Sequence, residues 1–489
     1  MKTKEKIIIV LISIIIAGIS YWYFLGGYYS LDTYRIISQG YIDYALKDAY
    51  VKDGRLFLAG IISLIGLINP SYRMMYIINL LIAIFLSSIT VLQLYKIINH
   101  YKKAKNTKFK CIYFLVSYIF IFNFVQIDIM QFLESFAIVT SVLLYLLSLK
   151  NTIIVKNKKK GFIFAILGML WYQGTVTMYI ATAFLICLLE NKKINKEFFK
   201  KILMPVIIII ISAIISFIII NMVPYVTNLE LTERFGGINR MINIIQRNIQ
   251  KFDDVLIDCF GYFPKYVFII FNLLIVIILF IYGIKNKKID ISINAFILVY
   301  VYIASIFVII PMQLLELCVR TVLPIGECIP ALFIYIICNT EILENTKIFK
   351  NMLITVVITY TLLNIFNSIK VTNEFITANE LDEKFVKSIE TEVKKLQSQG
   401  VNVQKYAVYY TTNGYRLDKL YNSEITFYNS YYLLARDCDT LMNLYMDDSI
   451  YLEKQMADEK IVDEYFENPS DEEIQIKYIA EVLYVVVDL

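Results

Sequence analysis

The chain has 489 residues, 58% of them hydrophobic, and a mean hydropathy of +0.61, too apolar for an ordinary soluble domain. Its net charge of +5 is unevenly divided: residues 371–489 carry 23 acidic and 11 basic side chains, which leaves 1–370 at +17. The basic residues fall in short blocks between apolar runs, where membrane topology accounts for them, and this argues against a nucleic-acid partner.

The first apolar run, Ile7–Leu25, follows MKTKEK and is long enough to cross a bilayer, which takes roughly 20 residues. It lacks a small-residue cleavage site and reads as a retained span. A charged, aromatic-rich loop follows over 26–73, with Ser30–Arg55 at its centre. Within it Leu56–Asn69 is apolar but short and ends at Pro70; it reads as a re-entrant or surface-lying helix, the alternative being a short true span. Lysine blocks at 96–110, 150–160, 191–201 and 285–288 then set the topology, because lysines stay on the cytoplasmic side. The remaining spans are Met74–Ile98, Cys111–Gln126, Asp128–Leu149, Gly161–Tyr172, Gly174–Glu190, Ile202–Val223, Tyr266–Gly283, Ile291–Ile310, Val322–Cys338 and Ile348–Phe366. The total is about eleven, with the N-terminus inside. A second outer loop, 224–265, has Ile238, Met241, Ile242, Ile245 and Ile249 at helical spacing, as in a helix lying in the interface or packing on the tail.

The tail, 371–489, reads as a separate acidic, soluble, extracytoplasmic domain. Glu374–Gln399 has the pattern of an amphipathic helix ending at Gly400, Tyr406–Tyr410 and Val482–Val487 that of strands, and Thr426–Met446 that of a helix. The fold class expected is thus a polytopic α-helical membrane protein, domain 1–370, with a small α/β C-terminal domain.

The seven cysteines include no CxxC pair, and the single histidine, His100, lies in a lysine-rich loop. No zinc site, disulfide framework or histidine-based acid–base chemistry is indicated. There is no glycine-rich phosphate loop, so no nucleotide site is expected; no cofactor and no metal is assigned. On this topology the unusual polar residues gather on the outer side. Asp32, Arg35, Asp53 and Arg55 lie in the first loop, and Asp128, Gln131 and Glu134 at the start of one span. Tyr172 and Gln173 form the tip of a tight pair, and Arg320 and Glu327 flank the start of another span. Charges at membrane depth are costly and are more often functional than decorative. A carboxylate serves as general base toward a hydroxyl, and arginines neutralise a phosphate. Asp32 equally suits a solvated loop, Arg35 and Arg55 equally suit snorkelling to headgroups, and Asn123, Gln126 and Asn221 suit helix–helix hydrogen bonds.

The order Asp32-Thr33-Tyr34-Arg35, Gly40, then Gly54-Arg55 opening an apolar run, resembles the Gtr-type bacterial membrane glucosyltransferases of the GT-C class. Tyr172-Gln173 after an apolar helix and Arg320 leading into RTVLPIGECIP are similar to later signatures of that group. The chain has Asp32-Thr33 where the family usually carries two adjacent acidic residues. The resemblance implies an inverting transferase in the bacterial plasma membrane. It would move a hexose, glucose above all, from a polyprenyl phosphate to a cell-surface glycan or lipid-linked saccharide. It implies Asp32 as base, Arg35, Arg55 and Arg320 for the donor phosphate, and Tyr172 and Gln173 for sugar or acceptor; Asp53, Asp128 and Glu134 complete the substrate site. A saccharide transporter or flippase, or a polysaccharide polymerase, is the alternative.

Overall fold

Asparagine caps and lysine-rich turns punctuate the first two thirds of the chain. In the computed structural model, residues 2–227, 246, 249–250, 252–309, 318–340, 347–411, 440–447, 449–466 and 474–488 are described. Two compact units are present, one formed by 1–27 with 41–371 and the other by 28–40 with 372–489.

In the first unit, helices α1 (Thr3–Ser20), α3 (Leu56–Gly66), α4 (Tyr72–Tyr101) and α5 (Thr107–Ile121) come first, α2 (Leu31–Gln39) belonging to the second unit. They are followed by a short α6 (Gln126–Met130), α7 (Ser135–Leu149), α8 (Lys158–Trp171), α9 (Val176–Asn191) and α10 (Lys196–Thr227). Then come α11 (Phe252–Gly261), α12 (Lys265–Lys285), α13 (Ile289–Ala304), α14 (Leu323–Asn339) and α15 (Lys347–Ser398). Three lysine blocks each carry the asparagine that starts the next helix. Asn106, Asn157 and Asn195 accept backbone N–H bonds from Phe109, Lys160 and Phe198 at 3.0–3.1 Å, caps worth about 1 kcal/mol each.

Seven helical segments are long and apolar enough to cross a membrane: Tyr72–Tyr101, Ser135–Ile154, Gln173–Asn191, Lys196–Val223, Lys265–Lys285, Ile289–Phe307 and Ile348–Ser398. Burial sorts them. The Gln173–Asn191 segment is 89% buried, whereas Lys196–Val223 and Lys265–Lys285 are only 28% buried. Side chains such as Ile210, Ile214, Phe217, Leu273 and Ile277 are exposed. Apolar faces of that extent are untenable in water and suit lipid, where a helix satisfies its own backbone; the protein is a helical, membrane-embedded one. At the centre, α14 is buried from Leu323 to Ile337 and packs on α5, α9 and α13. α7 and α8 meet through the small buried residues Gly161, Ala165 and Gly168, the spacing that lets helices approach closely in membranes.

The structure departs from the sequence reading in several places. The stretch expected as a single span from Asp128 is interrupted, α6 ending at Met130 and α7 starting at Ser135. Asn123 makes no helix–helix bond: it bonds Phe120 O and the Val125 N–H, turning the chain after α5. Asn221 likewise bonds its own helix at Phe217 O. Leu56–Gly66 is a short helix. The apolar spacing at 238–245 and most of the expected helix at 426–446 lie outside the described residues.

In the second unit a four-stranded sheet has the order β2-β1-β4-β3. β1 (Lys405–Thr411) is parallel to β2 (Glu453–Lys454) and to β4 (Val482–Asp488). β3 (Ile474–Ile479) is antiparallel to β4 through a two-residue turn, Ala480-Glu481, with both φ values positive, the geometry of tight hairpins. β4 alternates: Leu483 and Val485 face a core with Phe385, Val386, Ile389 and Val393 of α15. Val482, Tyr484 and Val486 face another with Val462 of α16 (Glu459–Tyr465) and with Phe466 just after it. The final span expected at Ile348–Phe366 and the helix expected at Glu374–Gln399 are one continuous helix, α15.

α2 (Leu31–Gln39), with its Ser30–Thr33 capping box, also belongs to this unit. Tyr34 is fully buried in the α15-side core, and Asn379 clamps the Tyr29 backbone, accepting its N–H (2.8 Å) and donating to its carbonyl (3.1 Å).

Candidate functional site

The first unit brings seven of the sequence-derived site residues together: Asp53, Arg55, Asp128, Glu134, Tyr172, Gln173 and Arg320. The two others, Asp32 and Arg35, lie on α2 in the second unit. Both side chains are half-buried.

Arg55 is placed by a tight turn. The Asp53 N–H donates to Ala49 O and the Arg55 N–H to Tyr50 O, both at 2.8 Å, so Tyr50, Asp53 and Arg55 are presented together. Gly54 makes the turn possible. Its φ is +73°, which requires glycine, and a Cβ there would stand 2.7 Å from Ile220 Cδ1, so that side chain would have to shift. The Gly54 carbonyl accepts from Gln173 Nε2 at 3.0 Å, joining the turn to the tip between α8 and α9. Arg55 is buried, with Nη1 3.5 Å from Glu134 Oε1, Nη2 3.7 Å from Asp53 Oδ2 and its guanidinium 4.9 Å above the Tyr172 ring. Tyr50 Oη donates to Glu134 Oε2 at 3.4 Å.

Tyr172 links this cluster to a second one. Its hydroxyl accepts from Arg320 Nε at 3.3 Å, and the Arg320 guanidinium lies 4.3 Å above the Phe132 ring. Arg320 Nη1 is 4.0 Å from Asp128 Oδ2, an ion-pair distance beyond hydrogen-bond reach. The opposite oxygen, Asp128 Oδ1, accepts from Tyr262 Oη (2.8 Å) and Gln131 Nε2 (2.5 Å), whereas Oδ2 is buried with no hydrogen-bond partner. Arg320 is held by its turn: Thr177 of α9 donates to Thr321 O at 2.9 Å. Asp128 and Glu134 are held by α4, from which Tyr76 Oη and Asn79 Nδ2 donate to Met130 O and Leu133 O.

Two arginines and three carboxylates thus share one largely buried region. Arg320, at 22% side-chain exposure, is the most open of the five; Glu134, at 1%, is the least. Burial raises the Asp128 carboxyl above the ordinary aspartate value, opposed by Arg320, Tyr262 and Gln131. For Arg55, burial works against the charge but is outweighed by Tyr172, Asp53 and Glu134, so its pKa is raised and it stays cationic. Burial likewise raises the Tyr172 phenol against the pull of both arginines. A carboxylate of raised basicity with one oxygen left out of the side-chain hydrogen bonds, beside a half-buried guanidinium, is equipped to take a proton from a hydroxyl next to a bound anion.

Tyr50, Phe132 and Tyr262 were not singled out from sequence; with 38 tyrosines and 32 phenylalanines in the chain, none has a local signature that marks it. Glu327, expected with this group, is buried in α14 and makes no ion pair among the described residues. No group of three or more His, Cys, Asp or Glu able to hold a metal ion occurs among the described residues. In comparisons with known protein families, curated proteins and solved structures, the chain matches none.

Proposed function

We propose that the chain is an inverting membrane glycosyltransferase that moves a hexose from a polyprenyl phosphate to a hydroxyl of a cell-surface glycan or lipid-linked saccharide. The observation that carries this reading is the pairing of Arg320 with the unbonded Oδ2 of Asp128. Arg320 neutralises the donor phosphate, while Asp128 Oδ2 accepts the proton of the attacking hydroxyl. The acceptor oxygen bonds to the anomeric carbon as its bond to the phosphate oxygen breaks; the electron pair leaves on the phosphate. Single displacement inverts the anomeric centre. Arg55 and Tyr172 fix the position of Arg320's partner groups, and Gln173 keeps the Gly54 turn in place. The apolar segments cross a bacterial plasma membrane with the lysine blocks inside and with this site and the tail outside, as in the GT-C class.

The resemblance to Gtr-type enzymes assigns the base to Asp32, and the geometry around Asp128 favours the latter. The test is transfer from radiolabelled polyprenyl-phosphate glucose to a surface-glycan acceptor, with wild type, Asp128→Asn and Asp32→Asn purified in parallel. Loss of about a hundredfold or more is expected for Asp128→Asn, the usual worth of a general base, with folding unchanged. Full activity in that variant would remove Asp128 from the chemistry, and loss in Asp32→Asn alone would transfer the role to Asp32. No turnover by wild type with any polyprenyl-phosphate hexose would overturn the transferase reading.

A further inference from the structure

At the opposite, lysine-rich end of the first unit a cavity of about 510 Å³ opens between α1, α4 and α5. One end of it is cationic. Lys2, Lys4 and Lys110 line it, with Lys2 and Lys4 exposed, and α1 and α5 both begin there, at Thr3 and Thr107. The positive ends of both helix dipoles therefore add to the lysine charge. The other end is apolar, walled by Ile8, Ile12 and Phe114; Ile8 and Ile12 stand 44% and 40% exposed, on the membrane-facing side of α1. A single acid, Glu5, enters the lining and is paired with Lys110 at 3.0 Å, so Lys2 and Lys4 give the cavity a net positive rim.

We infer that this cavity is a binding site for one anionic phospholipid, whose phosphate sits among Lys2, Lys4 and the two helix N-termini and whose acyl chain lies along Ile8, Ile12 and Phe114. Charge complementarity selects the headgroup, and continuity of the apolar wall with the lipid-facing surface selects a lipid over a soluble anion. The inference rests on the protein's being membrane-embedded and is independent of the proposed transfer reaction.

The test is titration of the purified full chain in detergent with phosphatidylglycerol or phosphatidylcholine, bound lipid being counted by native mass spectrometry. It compares wild type with the double variant Lys2→Gln/Lys4→Gln. Both side chains are exposed, so the fold is expected to survive; an unchanged unfolding temperature confirms it. Each lysine beside an anionic headgroup is worth about fivefold in affinity, so about thirtyfold weaker phosphatidylglycerol binding is expected for the pair. Phosphatidylcholine should bind weakly and equally to both proteins. Equal phosphatidylglycerol binding by wild type and variant would overturn the site. So would equal affinity of wild type for the two lipids. Complete displacement of phosphatidylglycerol by millimolar inorganic phosphate would make it a free-anion site instead.

Discussion

Arg55 is the cation on which the buried carboxylates depend, and Arg55→Met exposes that dependence. The substitution keeps most of the side-chain volume but leaves Glu134, 1% exposed, without its guanidinium at 3.5 Å. Breaking a buried pair by removing one partner costs about 3–5 kcal/mol, because the remaining charge stays desolvated; loss of the cation–π contact with Tyr172 adds up to about 2 kcal/mol. Glu134→Leu should cost less, since Arg55 keeps Asp53 and Tyr172. The double variant Arg55→Met/Glu134→Leu should be more stable than the sum of the two predicts, with a coupling of about 1–3 kcal/mol. Reversible unfolding of purified protein in mixed micelles measures all four corners of the cycle. Additive single costs, or an Arg55→Met cost below about 1 kcal/mol, would refute the reasoning that burial makes this pair interdependent.

Three further outcomes are expected. Burial raises the Asp128 carboxyl, so a base at this position loses activity as pH falls through a value above the ordinary aspartate value of about 3.9. In stability the same shift acts in the opposite direction: its contribution is full below the unfolded-state value and is lost as pH rises through the folded one, and Asp128→Asn should abolish both dependences. Gly54→Ala should destabilise by about 1–2 kcal/mol from the left-handed backbone, plus a steric part from Ile220; unfolding of Gly54→Ala/Ile220→Ala should recover the second part only. Asn379→Ala removes both bonds to the Tyr29 backbone, a loss of about 1–2 kcal/mol, and hydrogen exchange should quicken over residues 28–40 while β4 keeps its protection.

The helices of the first unit were legible in the chain because their determinants are local. Apolar runs long enough to satisfy their own backbone in lipid, lysine blocks between them, and Asn106, Asn157 and Asn195 at the helix starts are all neighbours in sequence. The strands at Lys405–Thr411 and Val482–Asp488 were legible for the same reason, whereas β3 at Ile474–Ile479 was not expected, although Ile474, Ile476 and Tyr478 alternate with Gln475 and Lys477. Several residues of the polar cluster were candidates from sequence, since an arginine or carboxylate within or beside an apolar run is conspicuous wherever it occurs. What only the tertiary structure decided was partnership. Arg55 meets Glu134 and Tyr172 across 79 and 117 residues of chain, a pairing no local pattern records, and Tyr50 and Tyr262 join the cluster only by where the fold delivers them. The same holds for the loop after the first span, where Tyr34 is buried in the core of the second unit, a placement no local pattern records. Local propensity depends on neighbours a few positions apart, whereas a buried charge is stabilised by whatever group packing brings within a few ångströms.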